Sequence, residues 1–202
     1  MAASGVRTRL ARWRTSRPAT TTLVAVLAAA FVVESIVWWL FGFPTVEFWF
    51  AATAQPSPGW LLAPLAHTSL THLAGNLLFL SVYGSLAESD LSTPTWCWLF
   101  VVSAVAGTAA QVWSYLLTGV DGGAVGASAG VVAFVSFVAT RTVRDGPETR
   151  SRGAYAVGVA GGVGMVALLA TDFVLTAGAG SAEFAHLLGV TVGLFAGVFV
   201  RE

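Results

Sequence analysis

Ser128 stands in the pentapeptide Gly126-Ala-Ser-Ala-Gly130, and the three histidines of the chain are His67, His72 and His186. A serine hydroxyl is a weak nucleophile until a base takes its proton, and imidazole can do this near neutral pH. Asp121, Gly122, Gly123 and Gly126 make a flexible approach to Ser128, which predicts a hydroxyl near the start of a helix. The first N–H groups of a helix lack intrahelical acceptors, so they can face an oxyanion as it forms. One short segment thus offers both nucleophile and donor. In a chain with 22 glycines a GxSxG string says little alone; its place in the chain says more.

His186 is the candidate base. Gly189, Gly193 and Gly197 follow it at helical spacing on nearly the same face, and a face without side chains lets another helix come close. The functional reading brings His186 to Ser128; the alternative is a glycine packing seam with a histidine at its wet end. His72 and Asn76 lie four residues apart on one helix face, and both are costly in hydrocarbon unless paired or facing water. They suit the role of oxyanion donors, or of a polar interhelical pair. His67 lies before that helix, is expected to face elsewhere, and is assigned a supporting hydrogen bond. A histidine metal site ranks below the serine reading, because His67 and His72 are five apart, a poor chelating separation, and there is no HExxH string.

These residues need helices to hold them. The chain has 202 residues, 56% hydrophobic and 10% charged, with mean hydropathy +0.78, which is too apolar for an ordinary soluble domain and too long for one span. Runs of about 17 to 25 apolar residues can cross the hydrocarbon core, and helices satisfy their own backbone there. Six candidates occur, at 21–41, 69–87, 95–117, 124–143, 154–175 and 184–200. The fourth is marginal in length and its start is the least certain boundary. The expected fold is an all-α membrane protein, an Arg-rich tail over 1–20 followed by a six-helix membrane domain over 21–202.

Charge orients it. With the N-terminus cytoplasmic, Arg7, Arg9, Arg12, Arg14 and Arg17 lie inside, as do Arg141, Arg144, Arg150, Arg152 and Arg201, so all ten basic residues share a side. Glu47, Asp121 and Glu183 lie opposite. Both termini are then cytoplasmic in a multi-pass cell-membrane protein, with the tail near anionic lipid headgroups. A net charge of +0 gives no reason to expect nucleic-acid binding. The basic start could also precede a cleaved signal, but the apolar run continues through Val32, Val33 and Ile36 to Trp39, which fits a retained span. Cys97 is the sole cysteine, so no intramolecular disulfide forms, and it is expected to serve packing. The link over 42–68, with Phe48, Trp49, Phe50 and Trp60 among prolines, suits the membrane interface. Gly158, Gly161, Gly162 and Gly164 in the fifth span permit close packing or gating, and the Gly/Ala-rich link over 176–183 is expected to be mobile.

The string His67-Thr-Ser-Leu-Thr-His72-Leu-Ala-Gly-Asn76 resembles the HxxxxHxxxN motif of rhomboid intramembrane proteases. Gly126-Ala-Ser128 resembles the family's GxS in the fourth span, and Ala185-His186-Leu-Leu-Gly189-Val-Thr-Val-Gly193 its AHxxGxxxG in the sixth. Gly84 and Glu88 match a GxxxE ending of the second span. Three motifs in the right order and topology are far more specific than the pentapeptide, and the resemblance covers essentially residues 21–202. It implies a six-helix rhomboid-like bundle with Ser128 as nucleophile and His186 as base and then acid, a dyad without a carboxylate. It also implies an oxyanion hole of Asn76, His72 and the Ser128 N–H, with Gly126 and His67 in support. The first outer loop lies in the membrane, the fifth span and the loop leading to the sixth gate entry, and no cofactor is needed. The chain departs from the family in carrying Ala129 where Gly follows the serine, Val132 where an aromatic often stacks on the histidine, and Trp60-Leu61 where a Trp-Arg pair is frequent.

The function expected is a serine endopeptidase that cuts membrane-anchored proteins near their non-cytoplasmic end. Two alternatives are an inactive rhomboid-like protein that binds transmembrane clients, and a small transporter or proton-conducting bundle using Glu34 and the histidines. Glu34 lies within the first span, where an ionisable residue is by default a functional candidate or satisfies an interhelical or loop hydrogen bond.

Overall fold

The computed structural model describes residues 15–175 and 182–200. Arg7, Arg9, Arg12, Arg14, Arg201 and most of the Gly/Ala-rich link, residues 176–181, lie outside them. Within the described residues the fold is helical, and its extended pairing is a single antiparallel bridge between Ala52 and Ala124.

Glycine and proline set the helix ends. Helix α1 (Pro18–Phe41) begins with its proline in the first turn, where the missing N–H costs nothing, and stops at Gly42, φ 77°. A short helix α2 (Phe43–Phe50) and a single turn α3 (Gly59–Leu62) fill the link to α4 (Leu70–Asp90). Helix α5 (Thr93–Thr118) carries Pro94 in its first turn and ends on left-handed Gly119. Helix α6 (Ser128–Asp145) ends at Gly146, φ 78°. Helix α7 (Arg152–Ala170) runs on into a wide turn, Thr171–Leu175, and α8 (Glu183–Phe199) closes the chain.

Four of these, α1, α4, α5 and α7, are long and apolar enough to cross a membrane; α8 is shorter. The 18-residue α6 is apolar for a different purpose, since Ala129 to Val138 are all buried inside the protein. A helix buried on every side packs on its neighbours rather than on lipid, so it tolerates Ser136 and Thr142. It also starts four residues later than the 124–143 run suggested, because Ala124 is held in the bridge to Ala52 and Gly126 takes φ 119°. By contrast α1 buries only Thr20, Leu27 and Glu34, one stripe at seven-residue spacing, and exposes Val32, Val33, Ile36 and Trp39. Cys97 is exposed rather than packed.

Packing centres on Phe134 and Phe137 of α6, with Trp96 stacked on Phe134 at 4.6 Å. Helix α4 widens by one residue over Leu80–Gly84, and the Trp96 indole donates to the Gly84 carbonyl at 2.9 Å. Glu88 accepts from the Ala19 and Thr20 N–H groups and the Thr20 hydroxyl at 2.6 to 2.9 Å, so a carboxylate from α4 caps the positive end of α1. The remaining arginines gather near this end. Arg17 bonds Ser89, Arg150 pairs with Asp90, and Arg141 and Arg144 reach the last carbonyls of α8. Glu47, Asp121 and Tyr115 line a shared pocket at the other end.

Candidate active site

Ser128 is the first residue of α6. Ala127 precedes it and no side chain caps the helix start, so the N–H groups of Ser128, Ala129 and Gly130 have no intrahelical acceptor. Gly126 is required twice. Its φ of 119° disfavours L side chains, and a Cβ there would lie 2.8 Å from His72 Cε1 and 3.8 Å from Ser128 Oγ. The approach segment is clamped by the link from α1 to α4: Gly126 donates to the Ala63 carbonyl at 2.8 Å, while Ala52 and Ala124 exchange two backbone bonds at 3.0 and 2.8 Å. That polar ladder puts the serine turn in fixed register with the residues just before His67.

A cavity of about 190 Å³ opens at this point, lined by His72, Gly126, Ser128, Thr108, Gln111 and Ala185 among others. His186 lies beside Ala185 in the first turn of α8. One turn on, a Cβ at Gly189 would sit 2.3 Å from the Ala129 carbonyl oxygen; at Gly193 it would be equally close to Ala133 O, and at Gly197 2.6 Å from Thr140 Cβ. The seam predicted along α8 therefore rests on α6, and it brings the His186 turn against the Ser128 turn. Ser136 ties the two helices with a hydroxyl bond to Val190 O at 2.8 Å. His186 and His72 are close enough to interact electrostatically.

Asn76 is buried one turn further along α4 than His72 and does not line the cavity. Its Nδ2 has no partner among the described residues. His67 does not face away from His72, contrary to expectation: the two rings meet edge-on with centroids 5.0 Å apart. Its Nδ1 lies 3.1 Å from the Leu65 carbonyl. Burial, and secondarily the nearby His72, push the His67 imidazole down to about 4, so the ring is neutral and Nδ1 carries the proton that Leu65 accepts. Among the described residues no three His, Cys, Asp or Glu side chains converge as metal ligands do.

Sequence reasoning missed three parts of this site. Gln111 is buried in α5, and its Oε1 accepts from the N–H groups of Phe184 and Ala185 at 3.1 and 3.3 Å, which caps the start of the helix bearing His186. Gly107 receives the Ala129 methyl; a Cβ at position 107 would come 2.5 Å from it. The extra methyl after the serine is thus absorbed by a missing one on α5. Tyr115 places an aromatic on the cavity wall, while Val132 is buried in the core. None of the three stands near a histidine or Ser128 in sequence, and glutamine gives no motif.

The rhomboid domain model matches residues 57–202, a stretch that contains Ser128, all three histidines, Asn76 and the glycine seam. The chain belongs to the rhomboid family. No curated protein matches it. Rhomboid proteins are in general intramembrane serine proteases, and this one is a helical membrane protein.

Proposed function

We propose that this rhomboid-family chain is an active serine endopeptidase with six membrane-crossing helices, α6 and α8 supplying the two short spans. The reading is carried by one observation: the glycine face of α8 sits on the backbone of α6, so the turns bearing His186 and Ser128 adjoin at a cavity walled by His72.

In this mechanism His186 takes the Ser128 Oγ proton as the oxygen attacks the substrate carbonyl. The tetrahedral oxyanion faces the Ser128 N–H, His72 and Asn76, the last turning toward it when substrate fills the cavity. Such donors act on charge that exists only in the transition state, and removing one costs about 10² to 10³ in rate. His186 then protonates the leaving amine, the C–N bond breaks, and an acyl ester remains on Ser128. Water entering from the open end gives a proton to His186, attacks the ester, and frees the carboxylic acid and the serine. No cofactor takes part.

Positive-inside orientation puts the arginine-lined end and both termini in the cytoplasm, so cleavage falls near the non-cytoplasmic face. The substrates are membrane-anchored proteins whose helix unwinds locally, since a helical peptide bond is shielded, and lipids surround the rest. His67 and Gly126 support the site without reacting.

The test is fluorophosphonate labelling of the purified protein, with cleavage of a single-span substrate in proteoliposomes. Wild type labels and cuts; Ser128→Ala abolishes both, and His186→Ala lowers both at least a hundredfold. Labelling that survives Ser128→Ala refutes the assignment. A folded wild type that binds the substrate without labelling or cutting supports the client-binding alternative.

A further inference from the structure

The proposed chemistry makes no use of Glu34. It lies in α1 on the buried stripe with Thr20 and Leu27, and a carboxylate at such a place is retained only when hydrogen-bonded. Its partner is a backbone group: Glu34 Oε2 accepts the His67 N–H at 2.9 Å. That N–H precedes α4, is buried with its residue, and would be an orphan without the carboxylate.

What Glu34 holds is the segment that sets the His72 ring. Thr68 Oγ1 lies 3.4 Å from His72 Nδ1, and the His67 ring meets the His72 ring edge-on. One residue further on, the Ser69 hydroxyl caps α4 by accepting the His72 N–H at 3.1 Å. Three successive residues therefore fix His72, and the first of them is anchored to α1 through Glu34. We propose that Glu34 is a positioning residue: it acts through His67 to hold His72 where a donor to the oxyanion must stand. This rests on the serine-protease reading. An oxyanion donor works only within a few tenths of an ångström of its place, so loosening the segment lowers turnover while leaving substrate binding largely intact.

The test compares Glu34→Ala, Glu34→Gln, His72→Ala and the double variant Glu34→Ala/His72→Ala in proteoliposomes. It measures kcat and KM on a fluorogenic single-span substrate, thermal unfolding in detergent, and ring 13C–1H signals, of which three histidines give a readable set. Losing the hydrogen bond that anchors the segment lowers kcat about tenfold in Glu34→Ala with KM within about twofold. Glu34→Gln restores most of the loss, because its amide oxygen can still accept the His67 N–H. In the His72→Ala background Glu34→Ala has no further effect, as expected of residues acting in series. The His67 and His72 ring signals shift in Glu34→Ala and return in Glu34→Gln. Multiplicative losses in the double variant, an unmoved His72 signal in a folded Glu34→Ala protein, or Gln behaving as Ala would each overturn the proposal. If wild type fails to react at Ser128 the protease reading falls instead, and the ring signals alone decide whether Glu34 positions His72.

Discussion

Helices α7 and α8 are both rich in glycine, and they use it in opposite ways. Along α8 the seam glycines all press on α6, at 2.3 Å from a carbonyl oxygen for Gly189 and Gly193 if a Cβ were added. Along α7, Gly158 and Gly161 are filled by Thr142 and Tyr83, yet Gly162 meets only Ala139 at 3.5 Å, and Gly153 and Gly164 have nothing within 4 Å. Helix α8 is further held at its start by Gln111 and at its end by Arg141 and Arg144. The second half of α7 keeps Met165 buried and exposes Val163 and Val166, and the wide turn after it exposes Val174 and reaches α8 through an edge-on contact of Phe173 with Phe184 at 5.8 Å. One helix is a fixed wall of the cavity and the other a loosely seated flank. Glycine count cannot separate them; what each missing side chain would meet can.

Breaking the wall should have the largest effect. In Gly189→Val the new side chain meets backbone, which cannot rotate away, so α8 must lift from α6. Overpacking of this kind costs about 1 to 3 kcal/mol or more, and His186 moves with the helix. Labelling by fluorophosphonate should fall at least a hundredfold, together with a lower melting temperature. The same substitution at Gly164 of α7 should leave both nearly unchanged, and equal losses at the two positions would refute the contrast.

A second variant sharpens the account of Ala129. Gly107→Ala sets two methyl groups 2.5 Å apart and should destabilise by about 1 to 3 kcal/mol. Adding Ala129→Gly should recover most of that loss, since the two positions share one space, and additive effects in thermal unfolding would show that they do not.

Next in size is the cap. Gln111→Ala strips two acceptor contacts from the start of α8 and should cost about 1 to 2 kcal/mol, with slower labelling because His186 sits in that first turn. Arg144→Ala at the more exposed far end should leave the labelling rate within about twofold. A labelling rate that responds equally to both ends would mean that α8 moves as a rigid rod.

Much of this arrangement was legible in the residues. Hydropathy found α1, α4, α5 and α7 within a few residues, because lipid imposes one rule on a whole span, and it found the shorter apolar α8 as closely. It placed α6 less well, since a helix enclosed by protein obeys packing instead, and its start is fixed by the Ala52–Ala124 bridge and the Gly126–Ala63 bond. Backbone bonds carry no signature of residue type. The same reason hid the partner of Glu34, a main-chain N–H, although the side chain itself stood out. His72 and Ser128 could be linked beforehand because both are rare or reactive types. Gln111 and Gly107 could not, being a polar and a small residue in a helix whose role appears only when its neighbours are known.

The smallest effect is the most informative about the flank. Gly164→Ala adds a methyl to open space in the middle of a helix, so it should stabilise by about 0.5 to 1 kcal/mol through helix propensity. Fluorophosphonate, a small probe, reaches Ser128 whether α7 is tight or loose, and its labelling rate should not change. A transmembrane substrate must pass between helices, so if α7 yields to admit it, stiffening that helix should slow cleavage about twofold while labelling stays constant. Identical ratios for the two reactions would show that the loose seating of α7 has no part in entry, and that its open glycines only spare lipid-facing bulk.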